Sequence, residues 1–163
     1  MRLGREGGDP IPGSNEAFGI DDVTAFLANA KTVDISRCWH SRGGKEFPRV
    51  PIVGPTIGRY QPVLLLVLDP SSAFGCSCRI MVEERIRIRG VNYEPFADPK
   101  DGRVTIQEWH EHRWDPKRQT RDHYLIPELQ GLTSFPDVLR WAGEAWGLRI
   151  VGMDKLPRSL LEG

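Results

Sequence analysis

The run Val63-Leu64-Leu65-Leu66-Val67-Leu68 is apolar without a break and stands between Gly58 and Asp69-Pro70-Ser71-Ser72. A segment of that length with those borders suits a strand covered on both faces better than a helix, and it is far too short to span a bilayer. The chain is therefore predicted to build a sheet around this strand, with other elements packed on each side.

The neighbouring segments extend the sheet. From Arg79 to Glu94 the residues alternate: Ile80, Val82, Ile86 and Ile88 point one way, and Arg79, Arg85, Arg87 and Arg89 the other. This reads as one half-buried strand with a basic outer stripe. Beyond Gly90 the apolar residues are Val91 and Tyr93, so the phase has switched, and one extra residue at Gly90, a β-bulge, restores it. Asp98-Pro99-Lys100-Asp101-Gly102 reads as a turn, after which Arg103 to Asp115 returns as a strand. Folding about that turn sets Tyr93 opposite Glu108, Val91 opposite His110, and, past the bulge, Ile88 opposite His112 and Ile86 opposite Trp114. Glu108, His110 and His112 then share the inward face. Trp109, Glu111, Arg113 and Asp115 share the outward face beside the arginines.

Two helices complete the domain. The first begins at Asp21 or Asp22, carries the stripe Val23, Phe26, Leu27 and Ala30, and ends near Thr32. The second is marked by Thr133 or Ser134, Pro136, Asp137 and Gly147, with the stripe Phe135, Val138, Leu139, Ala142 and Trp146. Trp141 lies off that stripe and is a candidate surface contact. Leu148, Ile150 and Val151 suggest an edge strand, and Tyr124-Leu125-Ile126, after a charged connection from Pro116 to His123, a further short strand. The expected fold class is α+β: an antiparallel sheet with a long bulged hairpin, packed against an N-terminal and a C-terminal helix.

With 163 residues, 39% of them hydrophobic and 27% charged, the composition is that of one ordinary globular domain, and 17 glycines and 13 prolines argue against a helical bundle. Residues 1–18, rich in glycine and proline, are expected to form a disordered arm, 19–153 the domain, and 154–163 a loose tail. A formal net charge of zero excludes a generally basic, nucleic-acid-coating surface. Three cysteines and the lack of an opening secretory segment predict a reducing, cytoplasmic setting with no membrane partner.

The richest chemistry lies between Glu108 and Asp115. His110-x-His112 on a strand sets two imidazoles on one face, about 7 Å apart at the backbone. Such a pair can chelate a divalent metal, supply an acid and a base about a phosphorus atom, or satisfy its own hydrogen bonds in a sheet. Glu108 on that face could act as base. Cys38, His40, Cys76 and Cys78 are zinc-type ligands, but single-residue spacings chelate awkwardly and leave small buried thiols as the plainer reading. On the other face, Arg85, Arg87 and Arg89 could contact phosphates while Trp109 stacks on a base.

The apolar strand, the hairpin, a return strand ending Arg113-Trp114-Asp115, His123 beyond it, and Thr133-Ser134-Phe135-Pro136-Asp137-Val138-Leu139-Arg140 together resemble the TumE-like toxins of prokaryotic toxin–antitoxin modules. The resemblance covers Tyr60 to Trp146. It implies Arg113, Asp115 and His123 as site positions, an antitoxin as protein partner and RNA as target. The His110-x-His112 pair precedes the Arg-x-Asp element here, whereas the family's histidines follow it. The expected function is a toxin-like protein acting as a metal-independent ribonuclease without a cofactor, through His110, His112, Glu108, His123 and Arg113. The alternative is a non-catalytic module whose Arg/Trp sheet face binds a protein or nucleic acid.

Overall fold

A computed structural model of the protein describes residues 2–6, 18–39, 44–98, 100–115, 120–131 and 134–161. Along the chain run β1 (Arg2–Glu6), α1 (Ile20–Ala28), β2 (Lys31–Asp34), β3 (Arg49–Pro51), β4 (Val63–Val67), β5 (Ser77–Val82), β6 (Ile86–Asn92), β7 (Phe96–Ala97), β8 (Thr105–Ile106), β9 (His110–Asp115), β10 (Thr120–Leu125), α2 (Phe135–Trp146), β11 (Leu148–Val151) and α3 (Arg158–Leu161). Among the described residues, seven strands form one antiparallel sheet in the order β1-β10-β9-β6-β5-β4-β3. The fold is α+β, as the sequence predicts.

The unbroken apolar run becomes β4, whose Leu64, Leu65 and Leu66 are all buried, so both faces of the sheet are covered at this strand. The stretch from Arg79 to Glu94 is two strands rather than one. Glu83, with φ at 52°, turns the chain between β5 and β6, and the polar triplet Glu83-Glu84-Arg85 is exposed there. Ile80, Val82, Ile86 and Ile88 are nevertheless all buried, as their alternation requires.

The bulge exists, but at Ile88 and not at Gly90. Ile80 pairs with Arg89 and Met81 with Arg87, leaving Ile88 as the extra residue on β6. The pairing of β6 with β9 then differs by one residue from that expected: Gly90 faces His112, Val91 faces Glu111 and Asn92 faces His110. The expected turn lies at the tip of a separate small hairpin, β7 with β8, and only His110–Asp115 of the return segment joins the large sheet.

The expected charged connection up to His123 is corrected as well. Thr120–Leu125 is a full strand, β10, pairing with β9 from Thr120 opposite Asp115 to Leu125 opposite His110. The N-terminal arm holds β1, whose backbone adds to β10 with Gly4 opposite His123; the rest of the arm lies outside the described residues. The tail is not loose throughout, because Leu156 and Leu160 are buried and α3 packs on α2.

Both helices form, but the first ends at Ala28 and not near Thr32, which leaves Ala30 of its expected stripe outside the helix and exposed. Asp22 accepts a hydrogen bond from the Gly19 N–H at 2.8 Å, closing the first turn of α1. Val23 and Phe26 are buried, and the helix stops at Ala28 because Asn29 is already extended. In α2, Pro136 occupies the first turn and Gly147 ends the helix in the left-handed region at φ 66°. A Cβ at Gly147 would also come within 2.9 Å of the Leu27 carbonyl oxygen, so glycine is required on two counts. Trp141, expected at the surface, is half-buried and packs edge-on against Trp146 at 6.1 Å.

Beyond α1, β2 pairs in parallel with β11, and its first residue joins the two helix ends. Lys31 is buried, and its ammonium donates to the carbonyls of Phe26 at 2.7 Å, Leu27 at 3.3 Å and Asn29 at 2.8 Å. It satisfies the orphan carbonyls of the last helical turn, while burial lowers its pKa to about 8. Lys31→Met is expected to lose about 1–3 kcal/mol in urea unfolding, through carbonyls left unpaired. Between pH 8 and 10.5 the unfolded chain holds the extra proton at this position, so raising pH through that window adds stability to the native protein and not to Lys31→Met. Unfolding curves of the two proteins across the window should therefore diverge as pH rises.

Candidate metal centre

The strands β9 and β10 bring three histidines together. His110 and His112 lie two apart on β9, and His123 on β10 is the direct cross-strand partner of His112. Residues directly opposite point to the same face of a sheet, so the three rings converge. One nitrogen from each can be chosen so that all three lie within 4.8 Å of one another. The ring centroids are 4.8 Å apart for His110 and His112, 4.6 Å for His112 and His123, and 5.3 Å for His110 and His123. Among the described residues this is the one group of three or more histidine, cysteine or carboxylate side chains close enough to share an ion.

The hydrogen bonds order these rings. Nδ1 of His110 lies 2.8 Å from the Glu108 backbone oxygen, and a carbonyl can only accept, so Nδ1 carries a proton, and in the neutral ring the Nε2 lone pair points inward. That Nε2 is 3.1 Å from Nε2 of His112, which is also 3.3 Å from Oδ1 of Asn92. A tetrahedral zinc ion with bonds of about 2.0–2.1 Å sets its ligand nitrogens roughly 3.3–3.4 Å apart, so the pair already stands near ligand spacing. The backbone carbonyl behind His110 plays the outer partner's part that fixes a metal-binding tautomer.

The cluster is closed over. His110, His112 and His123 are only 1%, 3% and 4% exposed. Phe96 of β7 stacks on His123 at 4.7 Å with the rings 5° apart, and meets His110 at 4.6 Å. The sequence singles out neither Asn92 nor Phe96. Asn92 reaches the histidine face only because of the bulge, and Phe96 is brought there by a hairpin whose path no local pattern specifies.

The remaining candidates fall in other places. Glu108 is exposed and contributes its backbone oxygen, not a carboxylate, to the cluster. Trp109 is buried against Phe74 and Tyr93, with centroids at 6.1 Å and 5.3 Å, so it is no open platform for a base. The face expected to be outward is covered by α2: the buried Glu111 accepts from Trp146 Nε1 at 2.7 Å and from Arg113 Nε at 2.5 Å. Arg113 also lies over the Tyr124 ring at 4.2 Å. It serves Glu111 and not the histidines.

The arginine stripe is divided. Register carries Arg79 across Gly90 to His112, and Arg87 opposite Met81, onto the histidine face. Arg89 opposes Arg113 on the helix-covered face, where burial lowers its pKa against the pull of Glu111, and Arg85 is exposed in the turn. Asp115 closes β9 opposite Thr120.

The cysteines are free thiols and join no group of three or more candidate ligands among the described residues, and His40 lies outside those residues. Cys38 lines a surface cavity of about 710 Å³ with Asp34, Arg37 and Lys45, away from the histidines. Burial pushes the Cys76 thiol up to about 11 and the Cys78 thiol up to about 12.

No family model, no curated protein and no solved structure matches the chain. No described helix is long and apolar enough to cross a membrane.

Two measurements check these surroundings. Trp146→Phe removes the indole donor from a buried carboxylate and should cost about 1.5–3 kcal/mol in chemical unfolding, with the loss reduced when Glu111→Gln is combined with it. Cys76 and Cys78, protonated and enclosed, should resist a thiol-specific disulfide reagent at mildly alkaline pH until the chain is unfolded; rapid reaction of both in the native protein would contradict the packing.

Proposed function

We propose that the protein is a histidine-ligated metal protein whose centre is formed by His110, His112 and His123. The convergence of three buried imidazoles, with His110 already held in the ligating tautomer by the Glu108 carbonyl, carries this reading. Imidazole donors suit zinc and its first-row neighbours rather than calcium or magnesium. Three neutral ligands leave a fourth position and the ion's full charge, the arrangement in which zinc acidifies a bound water or polarises an oxygen. Ligation through Nε2 requires His112 to carry its hydrogen on Nδ1 instead, and because protons compete with a metal for imidazole nitrogens, uptake should be weaker in acid.

The metal-independent ribonuclease restrained by an antitoxin would draw on the same His110 and His112 pair. Their close approach would serve an acid and a base, but burial under Phe96 counts against a polynucleotide reaching them. The alternative of a non-catalytic Arg/Trp binding face is weakened by the burial of Trp109 and by the division of the arginines between two faces.

Metal analysis separates these readings. After chelator stripping and dialysis against zinc, the chain should retain about one ion, and zinc at about 100 times its dissociation constant should add about 2.7 kcal/mol to unfolding. His112→Ala and His123→Ala should abolish retention. Equal retention by both variants, or none by the parent protein, would sink the proposal; RNA cleavage by metal-free protein that is lost in His110→Ala would favour the ribonuclease.

A further inference from the structure

We propose that Oδ1 of Asn92 is the fourth donor of the centre, which closes it as a structural site of three imidazoles and one amide tying β6, β9 and β10 together. This rests on the metal reading and names what fills the position that three histidines leave. Asn92 stands on β6 opposite His110 of β9, and His123 on β10 stands opposite His112 of β9. Three neighbouring strands therefore present all four side chains to one face of the sheet.

The spacing around His112 carries the inference. Its Nε2 lies 3.1 Å from Nε2 of His110 and 3.3 Å from Oδ1 of Asn92. His110, with a hydrogen on Nδ1, offers a lone pair at Nε2, and a carboxamide oxygen offers lone pairs only. Two acceptors thus converge on the one hydrogen that Nε2 of His112 can hold. When His112 carries its hydrogen on Nδ1, three lone pairs meet there instead, and a cation takes the hydrogen's place. The two edges, 3.1 and 3.3 Å, stand near the roughly 3.3–3.4 Å between donors on a tetrahedral ion with bonds of about 2.0–2.1 Å.

Burial favours this closed arrangement over an open one. Asn92 is 3% exposed, as deeply enclosed as the histidines, and Phe96 lies against His110 and His123. Catalytic zinc sites keep one position for water, whereas structural sites take four protein donors. The bulge at Ile88 brings the amide inward: without it Val91, whose side chain has no donor atom, would stand beside His110. A buried carboxamide is costly unless its polar atoms are met, and ligation of the oxygen offsets part of that cost.

The test uses the full chain loaded with cobalt(II), whose visible absorption distinguishes four donors from five or six and shifts when an added ligand binds. Uptake is measured first by metal analysis. The parent protein should show the strong bands of a four-coordinate ion, unmoved by millimolar azide. Asn92→Ala should bind cobalt about tenfold or more weakly, since even the outer partners of a ligand are worth about 10- to 100-fold in affinity. Its spectrum should shift with azide, which enters the vacated position. Asn92→Asp should restore an azide-insensitive spectrum, with a carboxylate oxygen in the amide's place, and circular dichroism checks that both variants fold. An azide-sensitive parent spectrum, or cobalt affinity in Asn92→Ala within about twofold of the parent, overturns the proposal and leaves the metal reading standing. Failure of cobalt to bind the parent protein overturns both.

Discussion

One extra residue in β6 governs what each face of the sheet carries. On the near side of Ile88 the strand alternates in phase with β5, so Ile86 faces Val82 and Arg87 faces Met81. On the far side the phase is reversed, so Val91 joins Cys78 and Glu111 under α2, while Gly90 and Asn92 turn toward the histidines. Without that residue Asn92 would be driven into the helix-covered face and Val91 would replace it beside His110. The bulge therefore keeps the isoleucines in the core and delivers a polar residue and a glycine to the candidate centre.

The sequence shows that such a correction is needed but not where it falls. The phase change between Ile88 and Val91 can be met by an extra residue anywhere in that interval, and Gly90 invites the assignment because glycine is common at bulges. Its actual use is different: it leaves space above β6 for Arg79 and Arg87. Moving the bulge two residues and shifting the partner strand by one changes which arginines accompany the histidines. The elements themselves were legible wherever apolar periodicity was strong, as in β4, α1 and α2. What stayed hidden depends on chain paths, including the addition of Arg2–Glu6 and the reach of the small hairpin.

His123 shows how near the candidate site came to being readable. His112 and His123 become cross-strand neighbours once the chain reverses between Asp115 and Thr120, which face each other. The segment Pro116-Lys117-Arg118-Gln119 carries enough polar residues and a proline to be taken as a longer connection, and its charge conceals the strand that follows. Treating Asp115 and Thr120 as a hairpin closure would have aligned the H-x-H pair with the third histidine. Asn92 and Phe96, by contrast, have no such local signature.

Strand β9 places hydrogen-bonding or ionisable groups on both of its faces, and His110, Glu111 and His112 among them are buried. Each side must therefore answer the cost of desolvation in its own way. Under α2, Glu111 is met by the Trp146 indole and the Arg113 guanidinium, an ion pair reinforced by a neutral donor. Across the strand no carboxylate joins His110, His112 and His123 in a shared ligand group among the described residues. Neutral imidazoles can tolerate such a setting, where the Glu108 carbonyl meets His110 and Asn92 meets His112. The two faces differ in how their polar groups are met: by an ion pair and an indole donor under α2, and by a backbone carbonyl and an amide oxygen beside the histidines.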